Sequence, residues 1–181
     1  MDSGAEMYQR YLNGDDSGLV ELVALYRDGL ILFLNSYVKN IDAAEELAED
    51  TFFRLAVRRP RFRQKYSFKT FLYTIGRNLA LNYLRKKKAA SLDDCADSPD
   101  LLRLEEIYII NERKAQVHSA MEKINPDYSR VLWLTYFEGM SNSDAAKIMG
   151  KSTRQIENLL YRAKKSLKAE LEREGFTYED I

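Results

Sequence analysis

The chain has 181 residues, room for one or two small domains, and its 28 basic residues are balanced by 28 acidic ones. A single cysteine, Cys95, excludes a disulfide framework, and the longest uncharged run of the N-terminal third, residues 29–38, is far too short to span a membrane, so no membrane insertion is expected. With 3 Pro, 8 Gly and no alternating strand pattern the chain reads as all-α, and with no signal peptide as cytoplasmic.

The zero net charge conceals blocks of opposite sign. Residues 1–56 carry four cations against eleven acids, and residues 57–90 carry eleven cations and no acid. Residues 91–112 return to one cation against seven acids, residues 139–168 are net plus five, and the last thirteen are net minus four. Blocks of this kind point to several faces for different partners, two of them anion-binding.

In chain order, residues 7–12 read as a short helix closed by the Asn13-Gly14-Asp15-Asp16 turn. A long helix follows from Ser17 to about Lys39, apolar on more than one face. Asn40-Ile41-Asp42 breaks it, and Asp42 is the expected cap of a helix over 43–58. That helix holds Glu45, Glu46, Glu49 and Asp50 in two adjacent rows, with Leu47, Thr51, Phe52 and Leu55 inward. Acids in a first turn complement the macrodipole. Four of them reaching the second turn equally describe a docking surface for a basic partner.

Next, residues 58–66 interleave cations with aromatics: Arg58-Arg59-Pro60-Arg61-Phe62-Arg63-Gln64-Lys65-Tyr66. Rings for stacking beside charges for phosphates are what a single-strand binder needs. Ser67 is the expected cap of a helix with the core stripe Phe68, Phe71, Leu72, Ile75, Leu79 and Tyr83. Its other side is read as Lys69, Tyr73 and Arg77, with Asn78 at the margin. Arg85-Lys86-Lys87-Lys88 ends it, which suits the helix dipole in any protein.

An acidic stretch with Ser91, Asp93, Asp94, Asp97, Ser98, Pro99 and Asp100 then reads as a flexible linker. Helical pattern resumes from about Leu102 to Ile124, with His118 a partly exposed bystander. Asn125-Pro126 makes a turn, and residues 127–137 pack Val131, Leu132, Leu134 and Trp133, the last as core. The architecture expected is two small helical domains: 1–88, a linker over 89–105, a second domain over 106–175, and a tail over 176–181.

The C-terminal end carries helix-turn-helix grammar. Ser141 with Asp144 forms a capping box, Ala145, Ile148 and Met149 give a short apolar face, and Gly150 stops that helix. Ser152 caps a second helix whose stripe is Ile156, Leu159, Leu160, Ala163 and Leu167. Opposite the stripe lie Arg154, Asn158, Tyr161, Arg162 and Lys165, with Gln155 at the edge and Lys151, Ser152 and Thr153 leading in. Arg can bond a guanine edge, and Asn or Gln an adenine edge, bidentately in the major groove. Lys147, Lys151, Lys164 and Lys168 surround that face as phosphate contacts would.

These segments in order resemble the extracytoplasmic-function (ECF) sigma factors of the bacterial sigma-70 family. DAAEELAEDTFFRLA (42–56) resembles the family's DAEDLVQETFLRA, and SFKTFLYTIGRNLALNYLR (67–85) its WLYRIARNLAIDYLR. AMEKINPDYSRVLWLTYFEGMS, from residue 120, is similar to ALERLPPEYREVLLLRYFEGLS, with a recognition helix trailing. The resemblance implies a sigma factor with no catalytic activity, cofactor or metal, working with core RNA polymerase and promoter DNA, and an anti-sigma factor as a further candidate partner. Asp42, Glu45, Glu46, Glu49, Asp50 and Phe53 would dock on the beta-prime clamp coiled coil, and the second domain would meet the beta flap. Arg61, Phe62, Arg63, Gln64, Lys65, Tyr73, Arg77 and Asn78 would take the non-template strand of the minus-ten element. The recognition helix would read the minus-thirty-five duplex, and the linker would lie in the RNA-exit path. The chain departs from the family pattern at Gln64-Lys65, where a Gly-Asp pair is common, at Asn82, and along STRQIENLLYRAK, so no promoter consensus is carried over. The other reading of the residues is a helix-turn-helix regulator with a helical sensor or dimerisation domain, which leaves the basic loop and the acid rows unused.

Overall fold

The computed structural model describes residues 2–90 and 112–176, and every element in them is helical. The linker from residue 91, the helix start expected near Leu102 and the tail from residue 177 lie outside the described residues. The chain divides into two compact units, one holding the four N-terminal helices and the other the C-terminal ones.

In the first unit, α1 (Ser3–Leu12) begins four residues earlier than the sequence pattern indicates, because Asp2 accepts a hydrogen bond from the Gly4 N–H at 3.1 Å. The following turn is held by Arg10, which bonds Asp15 at 2.9 Å and Glu21 at 3.0 Å. Bonds from Ser17 and Arg10 hold the Asp15 carboxyl below its ordinary range. Helix α2 (Ser17–Val38) is the centre of the unit and packs on α1 and on the two helices that follow. Five consecutive residues, Leu30 to Leu34, are buried, which only an element enclosed on most sides can support.

Helix α3 (Ile41–Arg58) is capped by Asn40, whose side chain accepts from Ala43 N–H at 2.8 Å, and not by Asp42. Buried Ile41 draws the helix start back by two residues, and Asp42 is left exposed in the first turn. Helix α4 (Phe68–Ala89) is capped by Ser67, as the sequence indicates, through Thr70 N–H at 3.1 Å. Its buried face differs from the expected stripe: Phe68, Leu72, Tyr73, Gly76, Leu79 and Ala80 are inside, while Phe71, Ile75 and Tyr83 are only half-buried. Gly76 sets that rotation. A Cβ there would stand 3.0 Å from Leu30 Cδ1, so the smallest residue is what lets α4 close on α2.

The second unit contains α5 (Glu112–Lys123), α6 (Pro126–Leu132), α7 (Asn142–Met149) and α8 (Thr153–Arg173). Asn125 caps α6 through Asp127 N–H at 2.9 Å, with Pro126 at the first position, where its missing N–H costs nothing. Helices α5 and α6 pack on α8, and Lys123 pairs with Glu174 just beyond the end of α8. Trp133 is buried as expected, stacked on Phe137 with ring centroids 4.8 Å apart and the half-buried His118 edge-on to it. The segment Trp133–Phe137 is a π turn, closed by a bond from Glu138 N–H to the Trp133 carbonyl at 3.0 Å. No described helix is long and apolar enough to cross a membrane.

Candidate nucleic-acid interface

The turn between α7 and α8 is built from short-range bonds. Ser141 and Asp144 cap each other at the start of α7, with Asp144 N–H on Ser141 Oγ at 3.1 Å. Gly150 ends α7 at φ +65°, a conformation strained for any residue with a Cβ. Two residues on, Ser152 and Gln155 form a full capping box: Gln155 N–H donates to Ser152 Oγ at 3.2 Å, and Ser152 N–H to Gln155 Oε1 at 2.7 Å.

Helix α8 buries Ile156 and Ala163, half-buries Leu159, Leu160 and Leu167, and exposes Thr153, Arg154, Asn158, Tyr161, Arg162 and Lys165. Tyr161 is 73% exposed, far beyond what a packing role needs. Several of the residues read from sequence, Ser152 among them, are engaged locally. The Gln155 carbonyl oxygen is taken by the cap, so a bidentate grip on adenine would break the capping box. Lys151 lies 3.2 Å from Asp127, which lowers the charge it can offer a phosphate. Lys164 sits 5.1 Å over the ring of exposed Tyr136.

In the first unit, residues 59–67 leave the end of α3 as an irregular loop. Arg59 begins it in the left-handed conformation, φ 41° and ψ 54°, uncommon for a residue with a side chain. Arg61, Arg63, Gln64 and Lys65 are exposed. Phe62 is half-buried, its ring edge-on to Phe68 at 5.6 Å and 5.4 Å from Phe71, so it anchors the loop while keeping part of its surface open. Tyr66, the other loop ring, is also half-buried, with Lys65 Nζ 5.8 Å above it.

One of the side chains read as binding the single strand lies inside the fold. Tyr73, read as lying on the open side of α4, is fully buried with its ring 5.2 Å from Phe33 of α2. It belongs to the face that Gly76 turns inward. Arg77 is half-buried and Asn78 exposed, so of the three α4 side chains named from the sequence Asn78 is the most open to an outside ligand.

On α3, exposed Asp42, Glu46, Glu49, Phe53 and Val57 recur at intervals of three and four and make one stripe, flanked by exposed Asp50. Phe53 and Val57 are each 63% exposed, an apolar end to an acidic strip. Val57 is not among the residues the sequence points to, although its spacing from Phe53 is a usable signal. Glu45 turns aside to Arg27 of α2 at 3.7 Å, an engagement inside the fold.

Fold and charge together define the class: an all-α protein of two helical units, the second a helix-turn-helix with a cationic, hydrogen-bonding outer face. Two family descriptions match it, Sigma-70 region 2 over residues 22–90 and Sigma-70, region 4 over residues 114–167, together about two thirds of the chain. The chain belongs to the sigma-70 family of RNA polymerase sigma factors, in its ECF group. It is 26% identical to the ECF RNA polymerase sigma factor BldN of Streptomyces coelicolor over 167 residues, spanning 90% of this chain and 63% of BldN. Against the RNA polymerase sigma-H factor of Pseudomonas aeruginosa it is 24% identical, covering 90% of each chain. Among solved structures it shares its fold with CnrH, solved in complex with the cytosolic domain of CnrY, at a TM-score of 0.67 and 23% identity over 95% of this chain and 99% of that one. The sigma factor RpoE, solved with the anti-sigma factor NepR from Bartonella quintana, gives 0.64 and 22% over 84% and 95%.

Proposed function

We propose that this chain is a promoter-specificity subunit that brings core RNA polymerase to particular promoters and helps to open them. Residues 1–88 dock on the beta-prime clamp coiled coil through the α3 stripe and take the non-template strand at the minus-ten element through the loop at 61–65, with Arg77 and Asn78 beside it. Residues 106–175 read the minus-thirty-five duplex through Arg154, Asn158, Tyr161, Arg162 and Lys165 and meet the beta flap, while the linker over 89–105 follows the RNA-exit path. An anti-sigma factor is a further partner in this proposal, the cytoplasm is its setting, and no catalytic step is assigned to the chain.

The observation that carries the reading is the coexistence of two unlike anion-binding surfaces in one chain. A duplex reader needs only the α8 face. The exposed cations at 61–65, set among half-open Phe62 and Tyr66, suit unpaired bases, because a duplex hides the faces of its bases. Extruding a base costs a few kcal/mol, and stacking on a ring returns about 1–3 kcal/mol. Register comes from the duplex contacts, and opening is driven by capture of the strand.

The test is gel filtration of the protein with core polymerase, followed by permanganate probing of a promoter fragment. A stable complex that leaves thymines unpaired near the start site is expected. Duplex binding by the free protein with no complex on core would reject the reading in favour of an ordinary regulator.

A further inference from the structure

Helix α1 precedes the residues matched to the family, which begin at residue 22, yet it holds the basic loop at both ends. At the start of the loop, Tyr8 Oη donates to the Pro60 carbonyl at 2.8 Å and Tyr11 Oη to the Ala56 carbonyl at 3.0 Å. The Arg59 guanidinium, on the residue in the left-handed conformation, lies 5.2 Å over the Tyr11 ring. At the far end, one oxygen of Asp2 accepts from Gly4 N–H while the other accepts from Phe68 N–H, so a single carboxylate caps α1 and α4 together. The Tyr8 ring also packs 5.1 Å from Phe68.

Apart from the Pro60 carbonyl, these bonds involve backbone groups that helix ends leave open. Ala56 is in the last turn of α3, Pro60 is just past it, and Phe68 is the first residue of α4. Tyr8 is 1% exposed, and burial pushes its hydroxyl up to about 12, so the donor keeps its proton at any working pH.

We propose that α1 is a brace, with Asp2, Tyr8 and Tyr11 as positioning residues for strand capture: they fix residues 59–67 in the shape that presents Arg61, Arg63 and Lys65. The inference rests on the function proposed above. A loop held at both ends has already given up the freedom it would otherwise lose on binding, so the brace raises affinity for a single strand without touching it. If α1 merely covered the bundle, removing its hydroxyls would lower the melting temperature and nothing else.

The experiment uses the full chain bound to core polymerase and a fluorescein-labelled single-stranded oligodeoxythymidylate of about 12 nucleotides, within the usual site size. Tyr8→Phe with Tyr11→Phe keeps both rings and removes only the donors. Asp2→Ala removes the double cap, and Asp2→Asn, with one acceptor oxygen and an NH2 in place of the other, can hold only one of the two caps. The tyrosine pair and Asp2→Ala should each weaken strand binding by about five- to tenfold, the scale of one or two lost hydrogen bonds. Asp2→Asn should weaken strand binding no more than Asp2→Ala does, since one of the two caps can survive, and affinities for core and for upstream duplex should not move. Strand affinity within twofold for both the tyrosine pair and Asp2→Ala, whatever the melting temperature does, would overturn the brace. Failure of the unmodified holoenzyme to bind the strand better than core alone would instead reject the proposed function itself.

Discussion

Replacing Phe53 by Ala should separate docking from folding. Phe53 is 63% exposed on the α3 stripe, so of the roughly 200 Å² that a phenylalanine presents, about 125 Å² is open to a partner. At about 25 cal/mol/Å², and allowing for the part an alanine still covers, removing the ring should cost about 2 kcal/mol of binding to core, roughly thirtyfold in Kd. The fold should hardly notice, since exposed substitutions away from caps and cores stay within about 0.5 kcal/mol. Glu46→Lys with Glu49→Lys on the same stripe should add a loss that shrinks as salt rises, because charges at a wet rim are screened. Titrating fluorescently labelled protein with core polymerase reads both effects, and urea unfolding checks the fold. A Kd for core within twofold of the unmodified value, from a fully folded Phe53→Ala protein, would refute the assignment of this surface.

Tyr73→Ala should cost about 3–5 kcal/mol of stability in urea unfolding, because the ring is fully buried against Phe33; a stable variant with a selective defect in promoter opening would restore a direct role for Tyr73. Arg154→Ala and Asn158→Ala should relax preference at particular base pairs by about 1–3 kcal/mol in a randomised-duplex competition. Lys164→Ala should weaken all sequences alike and flatten the salt dependence, and equal, sequence-independent losses in all three would contradict these roles. Ser152→Ala should lower stability by about 1 kcal/mol through loss of the capping box, with Ser152→Thr restoring most of it in thermal melts; an unchanged melt for Ser152→Ala would show that the box contributes nothing.

The features legible in the sequence are those made within three residues of chain. Ser67, Asn125-Pro126, the Ser141–Asp144 pair, Gly150 and Ser152 all act on neighbouring backbone groups, so residue type and spacing suffice to place them. What was not legible depends on packing. The expected stripe through Phe71, Ile75 and Tyr83 and the buried one through Tyr73, Gly76 and Ala80, which share Phe68, Leu72 and Leu79, fit helical periodicity equally well, and hydrophobicity favours the first. Gly76 and Ala80 carry little apolar weight, yet both are buried, and Gly76 is where Leu30 and Leu34 of α2 come close.

In the same way, buried Ile41 moved the cap of α3 from Asp42 to Asn40, and the Asp2 link to Phe68 supports a first helix through Gly4, a weak helix former. The π turn at Trp133–Phe137 has no counterpart in residue spacing. Polar side chains read as outward contacts were partly engaged at home, Glu45 by Arg27 and Gln155 by the cap, which no pattern of residue types distinguishes from a free side chain.

The most direct test of the account is in-vitro transcription with core polymerase, with and without this protein, and start sites mapped across the genome that encodes it. The account predicts a discrete set of transcripts that depend on the protein, each preceded by two shared elements at constant spacing, the upstream one altered in preference by Arg154→Ala. A transcript profile unchanged by adding the protein, from preparations that bind duplex DNA normally, would contradict it.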